Sequence, residues 1–241
     1  MTVPEFNCYG KYKDTVAIIF VGGYGDSKDY HSKPLMRLSA SLQMNVYSFS
    51  FRDGKNATFS SQINDLIDLC IYLLEKKDVK ELKIICTSDG AASSTFVLLD
   101  KRIESFISVI LFLDPAVYYL DDIPTRPLDD WKGFQDFLPK KKMYGEVLKE
   151  ANFNAVLHVI HFSLRNYSSQ GYVDDPLTRG LDIPTKYSRM NKASIKHFYE
   201  CIPLKNKGVY REVSNLPHAY MRDGEIANNI NNVVQLISSL L

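Results

Sequence analysis

Ser88 has the surroundings that a nucleophilic serine needs. The apolar run Lys83 to Thr87 leads directly into Ser88 and Asp89, and the small residues Gly90 to Ala92 follow before a helical stretch. This order predicts a strand, a sharp turn and a helix, with the serine at the apex of the turn. Small residues are needed beyond the serine because its backbone is strained and the strand and helix pass close to each other. Such a serine can attack a carbonyl carbon, although a serine that only caps the helix would fit the same residues.

A glycine-rich loop after the first predicted strand is the second segment whose residues could take part in binding or catalysis. Ile18 to Val21 leads into Gly22 to Gly25, and a helical stretch follows. Glycines at the start of a helix can bind phosphate. The phosphate-binding pattern G-x-G-x-x-G would need a glycine where Lys28 stands, however, and no G-K-[ST] pattern follows. The spacing therefore disfavours a phosphate site.

Together these two segments resemble the α/β-hydrolase family. The pentapeptide Cys86 to Gly90 is similar to the family's nucleophile elbow, G-x-S-x-G, with cysteine in place of the first glycine. Gly22 to Gly25 is similar to the family's oxyanion loop, H-G-x-G, with Gly22 in place of the histidine. The resemblance implies that Ser88 is the nucleophile. It also implies that the backbone N–H groups of Tyr24 and Asp89 point at the oxyanion of a tetrahedral intermediate.

The same resemblance implies a catalytic base late in the chain, because the family orders its triad as serine, acid and histidine. Among five histidines, His218 is the one that lies between the last predicted strand and the last predicted helix, at the end of the segment Val213 to His218. We therefore expect His218 to be the base. The other histidines are more simply explained as surface or packed residues: His31, His158, His161 and His197.

The acid of the triad has several candidates. The family usually places it just after the strand predicted here from Ala155 to Phe162, but the residues in that place, Ser163 to Asn166, include no carboxylate. Asp114 follows the preceding strand, a position that some lipase-like members use and that also resembles a structural turn of the family. Asp182 and the pair Asp174-Asp175 are the alternatives. We favour Asp114 slightly, with Asp182 second.

The elements that must position these residues follow from the hydrophobic pattern. Short β-branched runs recur, each ending in Gly, Asp, Asn or Ser, and amphipathic stretches lie between several of them. This alternation predicts an α/β fold, a mostly parallel sheet with helices on both faces, whose strands are continuous apolar runs. The predicted strands are Thr15 to Val21, Asn45 to Phe51, Leu82 to Thr87, Phe106 to Leu113, Ala155 to Phe162 and Gly208 to Val213.

Two apolar stripes at helical spacing predict helices against this sheet. The first runs from Ile63 to Leu74 and the second from Ile226 to Leu241, with Asp223 placed to cap the second. The segment Val117 to Phe153 interrupts the alternation with aromatic, proline and charged residues, as a cap inserted over the sheet would. We expect most of its aromatic residues to pack onto the body. No linker divides the chain, so residues 1–241 are expected to form one domain with this cap.

Composition excludes several classes of partner. Lys plus Arg total 29 against 28 for Asp plus Glu, so the chain has no large net charge that would attract it to nucleic acid or to an anionic membrane. No apolar run is long enough for a membrane span, and the N-terminus lacks the layout of a signal peptide. We therefore expect a cytoplasmic protein that binds a small molecule.

The cysteines and histidines predict neither a disulfide nor a metal site. The four cysteines show no C-x-x-C spacing, and three of them lie in apolar runs, so we interpret them as reduced thiols. The nearest pair of histidines, His158 and His161, is expected to point to opposite faces of a strand. No cofactor or metal is therefore expected.

Two functions fit the sequence. The first is a serine hydrolase that acts on a carboxylic ester or thioester through an acyl-enzyme on Ser88, or an acyltransferase in which a second substrate replaces water. Its partner would be a small-molecule acyl substrate, and an apolar wall supplied by the cap would favour short to medium acyl chains. The alternative is a noncatalytic protein that keeps the α/β-hydrolase fold as a binding or scaffolding module. The oligomeric state is left open.

Overall fold

The predicted apolar runs form the strands of one sheet. The computed structural model describes residues 2–13, 15–23, 26–54, 57–117, 144–149, 151–163, 192–214 and 230–241. In chain order its strands and helices are β1 (Phe6–Tyr9), β2 (Val16–Val21), α1 (Ser32–Leu42), β3 (Asn45–Phe49), α2 (Phe59–Lys76), β4 (Glu81–Ser88), α3 (Gly90–Phe96), β5 (Ile107–Pro115), β6 (Val156–Ser163), α4 (Lys192–Glu200), β7 (Lys207–Ser214) and α5 (Ile230–Ser238). All six predicted strands are present, with ends that differ by a few residues.

Within the described residues, the sheet has seven strands in the order β1-β3-β2-β4-β5-β6-β7. Every neighbouring pair is parallel except β1 and β3. Parallel neighbours need crossover connections, and α1, α2, α3 and α4 lie in four of them; between β5 and β6, residues 118–143 lie outside the described part of the chain. Strand β4, which ends at Ser88, lies in the middle of the sheet. The mostly parallel sheet is therefore as predicted, with an antiparallel edge strand that the sequence did not indicate.

Helices cover both faces of the sheet. Helices α2, α3 and α4 contribute buried apolar side chains to one cluster, and α1 and α5 contribute theirs to a cluster on the other face. A strand between two such layers must be apolar on both sides, which explains why β2 and β4 are continuous apolar runs. Helix α2 begins where the Thr58 hydroxyl accepts a hydrogen bond from the Ser61 N–H at 3.1 Å. None of the described helices is long and apolar enough to cross a membrane.

The described part of the predicted cap belongs to the body of the protein. A 3-10 turn, Tyr144–Lys149, buries Tyr144, Val147 and Leu148, and Phe153 is buried just after it. The Tyr144 hydroxyl donates to the carbonyl of Ala116 at 3.0 Å. These aromatic residues therefore pack onto the body as expected. Residues 118–143 lie outside the described part of the chain, so the cap itself stays a prediction.

Most of the cysteine side chains pack in the core. All four cysteines are free thiols, and Cys70, Cys86 and Cys201 are buried among apolar residues. Burial raises the pKa of the Cys70 and Cys86 thiols, which keeps them neutral.

The loop after β3 is tied to α2 by an arginine. Arg52 pairs through Nε with Asp65, which is buried in α2, and its backbone N–H donates to the same carboxylate at 2.8 Å. A second guanidinium nitrogen donates to Asp68 at 2.8 Å. Desolvation of a buried carboxylate is costly unless it is paired, so this pair holds the loop against the helix.

Candidate active site

The backbone at Ser88 is strained in the way that the sequence predicts. Ser88 is the last residue of β4 and has a φ of 50°, in the left-handed region that residues with a Cβ rarely adopt. Helix α3 begins two residues later at Gly90. The side chain is half-buried. Ser88 therefore projects from a strained strand-to-helix turn at the carboxyl edge of the sheet, where parallel α/β proteins bind ligands.

The residues on either side of this turn explain which glycine of the G-x-S-x-G pattern is required and which can be replaced. A Cβ on Gly90 would lie 2.5 Å from the carbonyl oxygen of Gly22 and 2.6 Å from that of Val21, so only glycine fits there. Cys86, in contrast, is fully buried in the core, with its thiol 3.6 Å from the carbonyl oxygen of Leu111. The core has room for a small side chain at that position, and the cysteine that replaces the motif's first glycine is accommodated.

The glycine loop after β2 touches the serine. A Cβ on Gly23 would lie 3.1 Å from the Ser88 Cβ and 3.5 Å from its Oγ. The N–H of Gly23 donates to the Asp26 carboxylate at 2.8 Å. A Cβ on Gly22 would lie 2.8 Å from the Asp26 Cβ and 2.9 Å from its Oδ2. The Asp26 side chain thus fills the space beside Gly22, where the family pattern has a histidine.

His31 completes a hydrogen-bonded group beside this loop. Its Nε2 lies 3.0 Å from Asp26 Oδ2, the same oxygen that accepts from Gly23. The ring is buried and meets Phe20 edge-on, with 4.9 Å between the ring centroids. His31 is therefore packed, as expected, but it also fixes the carboxylate that holds the glycine loop.

Asp114 lies beside Ser88 at the end of the neighbouring strand. Strands β4 and β5 pair Thr87 with Leu113 and then Ser88 with Pro115, and this shift in register passes over Asp114. Asp114 has a φ of 47° and is buried. The next residues of the chain are held to the serine, since the Ala116 N–H donates to the Ser88 carbonyl at 3.0 Å. The turn at Ser88 and the turn at Asp114 therefore contact each other.

The Asp114 carboxylate is held by β6. Its Oδ1 accepts from His161 Nδ1 at 2.9 Å and from the Phe162 N–H at 3.2 Å. His161 is buried and lies on the opposite face of β6 from His158, whose Nδ1 accepts from the Val209 N–H at 3.0 Å. The two histidines thus point to opposite faces, as predicted. The sequence predicts that His161 is a surface or packed residue and does not predict its contact with Asp114.

The structure describes part of the predicted site. Ser88, Asp89, Asp114 and the loop residues Gly22 and Gly23 are brought together at the carboxyl edge of the sheet. Asp89 is buried at the start of α3, next to the nucleophile. The other predicted residues lie outside the described residues, and their roles stay predictions: His218, Tyr24, Asp182 and the pair Asp174-Asp175.

The contribution of His161 was detectable only through tertiary structure, unlike that of Asp26. The alignment of β5 with β6 pairs Leu113 with Ile160, which places Asp114 next to His161. That register follows from packing of both sheet faces and is not written in either segment alone. Asp26, one residue beyond the glycine loop, carried a local signal, since a carboxylate so close can accept from the loop's own N–H groups.

The order of the strands and the strained serine turn between β4 and α3 define the α/β-hydrolase fold. Comparison with solved structures agrees. A hyperthermophilic esterase from the archaeon Pyrobaculum calidifontis matches with a TM-score of 0.68 at 12% identity, covering 99% of this chain and 83% of that one. Est1E from Butyrivibrio proteoclasticus, solved with ferulic acid bound, matches with a TM-score of 0.62 at 12% identity, covering 98% and 95%. A dienelactone hydrolase from Anabaena variabilis matches with a TM-score of 0.56 at 12% identity, covering 98% and 89%.

Sequence comparison adds nothing to this likeness. No family model matches the chain, and no curated protein matches it. At 12% identity the solved structures show a shared fold and leave the activity to be argued from the site.

Proposed function

We propose that this protein is a serine hydrolase that cleaves a carboxylic ester or thioester through an acyl-enzyme on Ser88. The observation that carries the proposal is the strained turn at Ser88, packed against Gly23 at the carboxyl edge of the sheet. A left-handed backbone at a serine costs about 1–3 kcal/mol, and such strain is concentrated at functional sites. A serine that only caps a helix would have an extended backbone and would not need it.

The proposed mechanism uses the residues that the sequence predicts. His218 takes the proton of the Ser88 hydroxyl as Oγ attacks the carbonyl carbon, and the carbonyl oxygen becomes an oxyanion. The N–H groups of Tyr24 and Asp89 stabilise this charge, each by about 3 kcal/mol. His218 then gives the proton to the departing alcohol or thiol. Water attacks the acyl-enzyme in the second half of the reaction, and a second substrate takes its place if the protein is an acyltransferase.

Asp114 is the proposed acid of the triad. Its Oδ1 is held by His161 and by the Phe162 N–H, which fixes the orientation of the carboxylate. In the proposed triad the second oxygen accepts from the ring of His218 and holds its tautomer. His161 is then a positioning residue, since it acts through Asp114. Asp182 is the second candidate for the acid.

The proposed substrate carries a short to medium acyl chain. The aromatic residues predicted for the cap would give the pocket over Ser88 an apolar wall, and each methylene buried there contributes about 0.8 kcal/mol to binding. Est1E, with which this chain shares its fold, has been solved with ferulic acid bound. A series of p-nitrophenyl esters tests this preference. Activity on the acetate alone, with none on the butyrate or longer esters, would contradict an apolar pocket.

The second candidate function is a binding module without catalysis. It is favoured by the observation that the Asp114 carboxylate already has a histidine partner, His161, in the fold. If that pair is purely structural, the chain lacks a triad acid at this position. Such a protein would keep the pocket and bind an acyl compound without turning it over.

A fluorophosphonate probe distinguishes the two functions, because an activated serine attacks its phosphorus and displaces fluoride. We expect one covalent adduct on the natural protein, at Ser88, and none on the Ser88→Ala variant. Ser105→Ala is the matched control, since Ser105 is exposed at the opposite edge of the sheet, just before β5, and its variant should be labelled like the natural protein. A folded natural protein that resists the probe and hydrolyses no ester of the series would support the binding module.

A further inference from the structure

Three side chains of different chemistry meet where α4 packs on the 3-10 turn Tyr144–Lys149. They are Glu146, His197 and Cys201, and one donor atom from each lies within 4.8 Å of the others. Helix α4 leads through the turn Leu204–Asn206 into the start of β7, so this cluster lies toward the edge where the strands begin. Ser88 lies at the opposite edge, where β4 ends. The cluster is therefore separate from the proposed active site.

A backbone hydrogen bond and aromatic packing hold the two segments that carry the three side chains. His197 and Cys201 are four residues apart, and the Cys201 N–H donates to the His197 carbonyl at 3.1 Å, so both project from one face of the last helical turn. Glu146 comes from the 3-10 turn, which is anchored by Tyr144. The rings of Tyr144 and Phe198 are both buried, with 5.4 Å between their centroids. The cluster is thus formed by two elements that are already packed together.

Thiolate, imidazole and carboxylate are the three ligand types that zinc takes in proteins. Zinc bonds of about 2.0–2.3 Å place neighbouring ligand atoms of a tetrahedron roughly 3.5 Å apart. His197 Nε2 already lies 3.7 Å from Glu146 Oε1. The buried thiol is the fixed member, while the side chains of His197 and Glu146 are partly exposed and can change rotamer toward it. The spacing is therefore close to that of a zinc site.

The groups around the cluster suit a dication. The other ring nitrogen of His197, Nδ1, faces Glu200 Oε2 at 4.0 Å. Histidines that bind zinc commonly donate their second ring N–H to a carboxylate, which orients the ring. Burial raises the pKa of the Cys201 thiol; Glu146 and Glu200 add to this effect, and Lys149 and Lys207 oppose it. Binding of zinc would therefore displace the thiol proton.

We propose that Glu146, His197 and Cys201 bind Zn²⁺, with water in the fourth position, and that the ion ties α4 to the 3-10 turn. The site is independent of the proposed hydrolase activity. Sequence spacing did not reveal it because Glu146 is far from the helix in the chain and is brought there by the packing of Tyr144 on Phe198.

Cobalt gives a direct readout of the site, because a cobalt–thiolate bond produces a charge-transfer band in the near ultraviolet. After treatment with a chelator and a reductant, the full-length protein is titrated with Co²⁺ and then with Zn²⁺. We expect one equivalent of Co²⁺ to produce the band and one equivalent of Zn²⁺ to abolish it, since zinc binds such ligands more tightly. Zinc should also raise the melting temperature of the natural protein.

Four variants test the assignment of ligands. Cys201→Ser should abolish the band, and His197→Gln and Glu146→Gln should each weaken zinc binding at least tenfold. Cys8→Ser is the matched control, because Cys8 is exposed on β1 and should leave the titration unchanged. Cys201 is buried, so circular dichroism must show that its variant is folded; His197 is partly exposed, and its variant gives the same test without disturbing the core. Absence of the band in the natural protein, or its loss in Cys8→Ser alone, would overturn the proposal.

Discussion

At the scale of single residues, the site is shaped by side chains that hold the backbone and do not themselves react. Asp26 Oδ2 accepts from both the Gly23 N–H and His31, and Gly23 in turn packs on Ser88. A loop whose N–H groups must point at a developing charge needs such an anchor, because misplaced donors stabilise the oxyanion poorly. Asp26 is therefore a positioning residue in the proposed reaction.

We predict that Asp26→Ala lowers kcat/KM on the best p-nitrophenyl ester about tenfold. Loss of a hydrogen bond to a charged group costs roughly 1.5–3 kcal/mol, and part of this cost should raise the activation free energy of the reaction. Asp26→Asn keeps an oxygen acceptor for the Gly23 N–H and should restore most of the loss. The control is Asp29→Ala, which removes an exposed carboxylate on the same loop that binds Asn7 at 2.7 Å. Equal losses in the Asp26 and Asp29 variants would show that the loop is merely destabilised.

At the scale of elements, the segments with continuous apolar runs were predictable and the others were not. The six predicted strands are buried by helices on both faces or lie next to such strands, so their sequences carry a strong signal. The edge strand β1 is only partly buried and pairs on one side, so its four residues show no such run. Helix α4 buries Ile195 and Phe198 within nine residues, too few to make a clear stripe.

The link between the β3 loop and α2 gives a prediction at this scale. Arg52 is about one-third exposed, but its partner Asp65 is almost fully buried. Arg52→Ala would leave that buried carboxylate without its cationic partner, with only the backbone N–H of residue 52 still donating to it, at a cost of about 2 kcal/mol once the exposure of the arginine is taken into account. We expect urea unfolding of Arg52→Ala to show this loss in the free energy of unfolding.

Arg102→Ala is the matched control for Arg52→Ala. Arg102 also pairs with an aspartate, Asp100, but its side chain is 64% exposed, so its loss should cost less than about 1 kcal/mol. Similar losses in the two variants would mean that burial of the ion pair as a whole does not govern its strength.

At the scale of the whole molecule, the two apolar clusters of the described residues lie on opposite faces of one sheet, so both depend on how its strands pair. The serine turn, the glycine loop and the fold class were predictable because each depends on local residues or on a pattern repeated along the chain. The contact of Asp114 with His161 was not, because it depends on the register between β5 and β6. Pairing between strands is set by the packing of the complete sheet.

Strand pairing also leads us to expect a pH-dependent stability. His158 on β6 accepts a hydrogen bond from the Val209 N–H on β7, and burial lowers the pKa of the ring below its ordinary value of 6.5. The unfolded chain therefore binds a proton first as the pH falls below 6.5, so the free energy of unfolding is fully retained above that pH and declines below it. We predict this decline in urea unfolding measured with a chelator present between about pH 7.5 and 5.5, a window above the titration of ordinary carboxylates.

His158→Asn keeps an acceptor for Val209 but cannot be protonated, and should flatten the dependence. His197→Asn, at a partly exposed site, should retain it. If the natural protein and His158→Asn lose stability equally on acidification, another group is responsible.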